Sequence, residues 1–407
     1  MGRSLSVIVG TIPDGPAPSG MVVDGAGLTD APTAALASAR PLVESVGVAD
    51  EIAAILGYDR DSLIYGTYEP SLATAGIMVA ESNLDEYNSS TTDRVTIPAG
   101  AAISDKIIYG DASFAGAAEL HNCLLVGGND SLSSGNLGVV RAAATRTGIA
   151  KLYDCTIRPR RESDGRDCAL GWQYELHRCH LSGGVDGAGI YSLASPWSAQ
   201  VKVMGCLIED LAYTYPDRDH DDGTHNDCVQ IQGGRDIEIV GNAIRGTAHR
   251  MTGSGSYYPT HASNSTGDWP LTKTPQVIPG SGIIIQNNVG AAAFDNSVII
   301  RGNYFRRCKA QLLVKSTANG FVCDSNRFSA VDPPVSNANG TVYEGVTLAF
   351  TYNPYWIRFD NVASSGAIAG LTSGGAVSNT TNIWMDGGNA GSSLATPRSS
   401  GISPADV

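Results

Sequence analysis

Apolar and polar residues alternate along this chain in a line that keeps returning with different spelling: AELHNCLLVGG, AKLYDCTIRPR, YELHRCHLSGG, VKVMGCLIEDL, DIEIVGNAIRG, SVIIRGNYFRR and GFVCDSNRFSA. Each copy is a short alternating run, then a Cys or Asn, then a brief segment that is mostly apolar. Cys123, Cys155, Cys179 and Cys206 fill one slot in the first four copies, and Asn242, Asn303 and Asn326 fill it in the later three. Alternation with period two is the signature of strands, and recurrence at solenoid-like intervals predicts coils that stack to bury a shared interior. A further strand precedes many of the lines, as CALGW precedes YELHRC and DCVQIQG precedes IEIVGN. A coil therefore holds at least two strands joined by a turn. The expected fold class is all-β, a right-handed parallel β-helix of about ten coils with a short helical N-terminal segment.

The remainder of the chain departs from this period. Residues 31–57 are rich in Ala and Leu at helical spacing, with Thr29 or Asp30 as cap and Pro41 dividing the segment. The expected organisation is an arm and helical neck or cap over 1–57, a transition over 58–94, the β-helix over 95–386 and a loose or strap-like tail over 387–407. The cysteine slot reads as an internal column of small hydrophobes. The asparagines read as a ladder, because a turn Asn bonds both its own backbone and the next coil.

Composition narrows the function classes. Forty-eight glycines with only 7% aromatic residues suit many tight turns rather than helical bundles. A net charge of −13 with 27 basic residues argues against nucleic acid as a partner, since affinity for it comes from neutralising phosphates. No apolar run is long enough for a membrane span, and the start of the chain carries no convincing secretion signal. Patterns for a hydrolase nucleophile elbow, a dinucleotide fold, a P-loop or a zinc protease helix are missing from the sequence. The eight cysteines form no CxxC pair, and the neighbouring histidines supply no four-ligand zinc set.

One dense polar constellation stands out, YPDRDHDDGTHNDCVQIQGG. Asp222, Asp227 and His225 are candidate catalytic groups, as acid and base on a glycosidic bond or as a base beside a sugar carboxylate. Asp217, Asp219 and Asp221 are candidate metal ligands, with calcium the cofactor they raise. Strand alternation turns Val229 and Ile231 inward and Cys228 outward; it turns Asp227 inward unless a bend at Asn226–Asp227 reverses it. Downstream, Gly253 to Gly280 reads as a long projecting loop whose Tyr257, Tyr258 and Trp269 are candidate carbohydrate contacts. RPRRESDGRD, at 158–167, reads as a solvent loop with internal ion pairs.

The repeats resemble the right-handed parallel β-helix proteins of the pectate-lyase-like class. DGTHNDCVQIQGG is similar to a D-G-x-H-x-D-x-[IV]-Q phrase of β-helix proteins encoded by actinobacteria and their phages, with Asp222, Gly223, His225, Asp227, Val229 and Gln230 matching. The resemblance covers roughly residues 95–385. It implies a tail spike, fibre or minor tail protein of a virion, a homotrimer joined to other virion proteins through its N-terminal segment and facing a bacterial envelope glycan. Release by lysis accounts for the missing signal. Two alternatives stay open: a polysaccharide lyase or glycoside hydrolase, and a purely structural virion component.

Overall fold

The computed structural model describes residues 69–128, 137–142, 148–160, 165–190, 200–213, 224–233, 236–250, 276–277, 280–286, 298–308, 310–315, 321–331, 342–343, 346–347, 355–359, 382–394 and 401–402. The expected neck helices at 30–57 lie outside these residues.

The described chain is a right-handed parallel β-helix with three sheets. A single coil shows the rule: Arg166–Gly171 lies in sheet 1, Gln173–His177 in sheet 2 and His180–Leu181 in sheet 3, before Ala188–Ile190 re-enters sheet 1. Sheets 1 and 3 each contain ten described strands and sheet 2 contains eight. A coil thus has three strands, one more than the minimum read from the sequence. The extra one is the brief segment after the Cys or Asn, too short to show a period by itself. The first strands are Asp85–Glu86 in sheet 3 and Arg94–Ile97 in sheet 1. At the other end, Gly401–Ile402 pairs antiparallel with Tyr355–Phe359, and Leu394 is buried.

Parallel register puts like on like. The inner row of sheet 2 runs Ile103, Leu120, Leu152, Leu176, Val203, Ile239, Ile300 and Cys323. That of sheet 3 runs Ile108, Leu125, Ile157, Leu181, Ile208, Ile244, Phe305, Phe328 and Trp384. Each fully buried large side chain contributes about 1.5–3 kcal/mol. No coil can bury its inner face alone, so the stack is the folding unit.

Sheets 2 and 3 meet at a two-residue corner. Its first residue is left-handed in every described coil: Asp105, Asn122, Asp154, Arg178, Gly205, Gly241, Gly302 and Ser325 all have φ between 50° and 66°. From Asn122 onward, the second residue is the Cys or Asn of the repeat. Cys123, Cys155, Cys179 and Cys206 are buried and belong to one core cluster, and all eight cysteines are free thiols. Each of the four sends its S–H to a carbonyl of the preceding coil: Ile103, Leu120, Leu152 and Leu176. The asparagines send Nδ2 to the equivalent carbonyls of Val203, Ile239 and Ile300. Their Oδ1 atoms also accept the backbone N–H of the coil below, as Asn303 does from Asn242 at 3.0 Å. The column continues to Asn382, which accepts from Asn326 and donates to Cys323. Burial raises the Cys155 and Cys206 thiols above their ordinary pKa, which keeps them protonated donors.

A strap crosses the outer face of sheet 3 against the order of the coils. It starts with Glu69, whose carboxylate meets Arg306 at 3.0 Å. The N–H of Gly76 then reaches Arg178 O, that of Ile77 reaches Thr156 Oγ1 and that of Met78 reaches Asn122 Oδ1. Glu81 closes a two-bond pair with Arg158. Gly76 has φ 90°, and a Cβ there would lie 2.7 Å from Thr156 Oγ1 and 2.8 Å from His180 Cβ. Only glycine allows so close an approach.

Candidate functional site

The longest connections between described coil strands leave from one corner, between sheets 3 and 1. Leu207–Ile208 is followed by the acidic segment before Val229–Ile231, and Ala243–Arg245 is followed by the aromatic segment before Ser281–Ile285. These are adjacent coils, so the two loops depart and return side by side. Their roots also pair directly. Leu211–Tyr213 lies parallel to Thr247–Arg250, which pairs antiparallel with Gln276–Val277.

Both loops return to a column of buried aspartates. Asp167, Asp186 and Asp227 occupy equivalent positions at the entry to three successive sheet 1 strands, Asp167 inside its strand and the other two just before theirs, and are 1%, 3% and 4% exposed. Each carboxylate accepts a backbone N–H from the next coil. Asp167 Oδ1 takes that of Asp186 at 3.2 Å, Asp186 Oδ1 that of Asp227 at 2.8 Å, and Asp227 Oδ1 that of Ser281 at 2.7 Å. Burial, with a smaller push from the charge of Asp227, raises the Asp167 pKa to about 7, although the bond from Asp186 opposes the shift. Next to the column, Asn226 donates Nδ2 to Val185 O and Ala212 O and receives Thr224 Oγ1. These bonds clamp the end of the acidic loop to two other segments.

The sequence-derived site is therefore divided. Asp227 stands in the column and His225 is half-buried two residues before it. Asp222, the cation candidates Asp217, Asp219 and Asp221, and the rings of Tyr257, Tyr258 and Trp269 lie outside the described residues. Among the described residues, no group of three or more His, Cys, Asp or Glu side chains is placed to hold a metal ion.

Two expectations need correction. Cys228 does not face outward; it is fully buried in the same core cluster as Val229 and Ile231. It precedes the strand, at a corner, where the chain direction changes and strict alternation does not apply. Nor is the Arg-rich segment a wholly solvated loop. Arg166 is 0% exposed and meets Asp111 at 3.0 Å, while Arg158 is 9% exposed beneath the strap. Its polar spelling hid one strand ending at Arg158 and another starting at Arg166.

The sequence reading passed over Asp186 and placed Asp167 in the solvent loop at 158–167, whereas it is buried and bonded to the Asp186 N–H. A second alignment carries the signal: RDCALG, VDGAGI and NDCVQI share an Asp, then Cys or Gly, then a strand.

Comparison with known proteins returns no matching family model, no matching curated protein and no matching solved structure. The class is thus defined by the chain's own geometry: a parallel β-helix protein, the architecture on which tail spikes, lyases and hydrolases of this type are built. Among the described residues no helix is long and apolar enough to cross a membrane.

Proposed function

We propose that this chain is a virion surface protein of the tail-spike or tail-fibre type that recognises a bacterial envelope glycan. The observation that carries recognition over turnover is the burial of the aspartate column. A general acid must reach the bond it protonates, and these carboxylates are instead occupied in joining coil to coil. What the corner offers is a pair of adjacent loops on a rigid rod. One loop brings acidic charge and the other brings Tyr257, Tyr258 and Trp269, whose rings suit the apolar faces of sugars. The apolar stripe at Ala34, Leu36, Leu42, Val43, Ile52 and Leu56 supports assembly as a homotrimer.

A polysaccharide-degrading activity is the second reading, favoured by the dense run of Asp and His at 217–227, where Asp222 and His225 supply a carboxylate and a base for a glycosidic bond or a sugar acid. Three measurements separate the readings. Purified virions are probed for the chain. Host envelope polysaccharide is incubated with it and assayed for binding, for new reducing ends and for unsaturated products. Mass in solution gives the oligomeric state. Recognition predicts binding without products, with Trp269→Ala weakening it by about 1–3 kcal/mol. Cleavage abolished by Asp222→Asn and Asp227→Asn establishes the enzyme instead. A chain found in virions that binds no glycan is a structural component.

A further inference from the structure

A cavity of about 210 Å³ lies between the strap and the outer face of sheet 3, on earlier coils than those that carry the two long loops. Its floor is apolar, formed by Ile107, Leu124 and Val126 on adjacent coils. Its rim is polar: Glu81 and Ser90 from the N-terminal side, Tyr109, and the arginines 158 and 160.

The two arginines differ in what they have left to give. Arg158 commits both terminal nitrogens to Glu81, at 3.0 Å each. Its Nε is buried and has no partner among the described residues, and the side chain is about nine-tenths buried. A buried donor without an acceptor costs about 1–3 kcal/mol, more for a charged group. Such a group is retained where something else completes it. Arg160 bonds the Ser90 carbonyl through Nη1 and lies over the Tyr109 ring, 5.9 Å from its centre. Its remaining N–H groups have no bond with any described residue. The acid at the rim is Glu81, already paired; Glu86 lies outside the lining and accepts from Tyr109 Oη at 3.5 Å. A pair of guanidiniums thus borders an apolar floor in a chain whose net charge is −13.

The geometry points to a binding site for one carboxylate-bearing sugar ring, a uronic-acid residue of an acidic glycan. The cavity is smaller than the roughly 300–1,000 Å³ of drug-sized sites, which suits a single ring. The flat floor matches the apolar face of a pyranose. The planar, fork-like donors of arginine match a carboxylate better than a point charge would. The choice of a sugar acid over other small carboxylates rests on the glycan-recognition reading above.

The test uses the full chain and saturation-transfer NMR with D-glucuronate, D-glucose, acetate and inorganic phosphate. The expected result is saturation of glucuronate, with glucose and acetate at least tenfold weaker. Arg160→Ala, which leaves the Arg158–Glu81 pair in place, loses at least tenfold of the glucuronate affinity. Ser90→Trp, at the half-buried rim, blocks it without altering the interior. Both variants are checked for an unchanged melting temperature. Phosphate or acetate binding as well as glucuronate would reduce the cavity to a simple anion site and overturn the proposal. So would glucuronate binding that survives both variants, or no binding at all. If whole envelope polysaccharide still binds while both variants are silent, this pocket fails and the recognition reading stands. If glucuronate binds here and virions lack the chain, the pocket stands and that reading fails.

Discussion

Two corners flank sheet 3, and they follow opposite rules. Between sheets 2 and 3, every described coil from Ser104 to Arg327 turns in one left-handed residue and one further residue before or at the next strand. Between sheets 3 and 1, the connection ranges from Gly110 alone, between Tyr109 and Asp111, to the whole stretch between Arg245 and Ser281. Both corners carry a ladder of polar side chains bonded along the axis. The Cys and Asn column fills the first corner and leaves no room for insertion, because the turn itself is the bonded element. The Asp column sits after the second turn, at the point of return. An anchor placed there fixes where each sheet 1 strand starts, whatever length of chain precedes it. The lesson is that a ladder inside a turn fixes its length, while a ladder behind a turn frees it. The acidic and aromatic segments both return where the second arrangement holds.

The most severe way to break this comparison is to attack the buried charge at the start of the variable corner. Asp111→Ala removes the carboxylate that meets Arg166 at 3.0 Å inside the solenoid. Breaking one side of a buried pair costs about 3–5 kcal/mol, read as a lowered midpoint in chemical denaturation. Replacing both by apolar residues of similar volume should recover most of the loss, because the desolvation of both charges is removed together.

Next in size is the fixed corner. Asn303→Ala removes the acceptor of the Asn242 N–H and the donor to Ile239 O. With a buried N–H left unsatisfied, the expected loss is about 3 kcal/mol. Asn303→Cys should cost clearly less, since cysteine fills this slot in four earlier coils and its S–H makes the equivalent bond. Equal losses for the two variants would mean that the slot needs an amide and that the Cys and Asn halves of the column are not interchangeable.

The third test concerns pH and the Asp column. Burial pushes the Asp167 carboxyl up to about 7 in the folded chain, from an ordinary value of 3.8. Between these values the folded chain holds a proton that the unfolded chain has lost, so its contribution to stability is present below about pH 4 and is lost as pH rises through 7. Asp167→Asn should flatten the stability profile across that window while keeping the acceptor for the Asp186 N–H. Asp227→Asn should move the inflection downward, because the Asp227 charge is one of the terms that raises it. A wild-type profile that rises from pH 4 to 7 with the same slope as Asp167→Asn would refute the raised value.

How much of this was legible depends on whether a feature repeats in sequence register. The Cys and Asn slot was readable because the strands on both sides of a two-residue turn keep constant spacing, so the eye finds Cys123 to Asn326 in one alignment. Asn382 was missed because the residues before it, GGAVSNTT, do not repeat the alternating line. The Asp column was missed because loops of unequal length precede each member, so Asp167, Asp186 and Asp227 share no upstream spacing. Cys228 was misassigned for a related reason, since alternation holds along a strand and fails at its corner. Of the candidate site, only His225 and Asp227 fall on described residues. The strap was invisible because nothing in GIMVAES announces a partner on the outside of a sheet.

The smallest expected effect sharpens the rule for the fixed corner. Asp154 is left-handed, with φ 53°, and holds Arg178 of the next coil through two bonds of 2.7 and 2.8 Å. Asp154→Gly removes that pair, in which Asp154 is buried and Arg178 largely so, a loss of about 1.5–3 kcal/mol. It also relieves the left-handed strain of a residue with a Cβ, roughly 1–2 kcal/mol for most residues but less for Asp. Glycine loses more backbone freedom on folding, which offsets part of that relief. The relief offsets only part of the lost pair, so the variant should be about 1 kcal/mol less stable than the parent. Gly205, Gly241 and Gly302 already fill the slot in later coils. Asp154→Val keeps the loss of the pair and adds a branched Cβ at positive φ, so it should be measurably less stable than Asp154→Gly. Should valine and glycine prove equal in thermal melts, the corner would tolerate a right-handed conformation, and the two-residue limit on its length would need another cause.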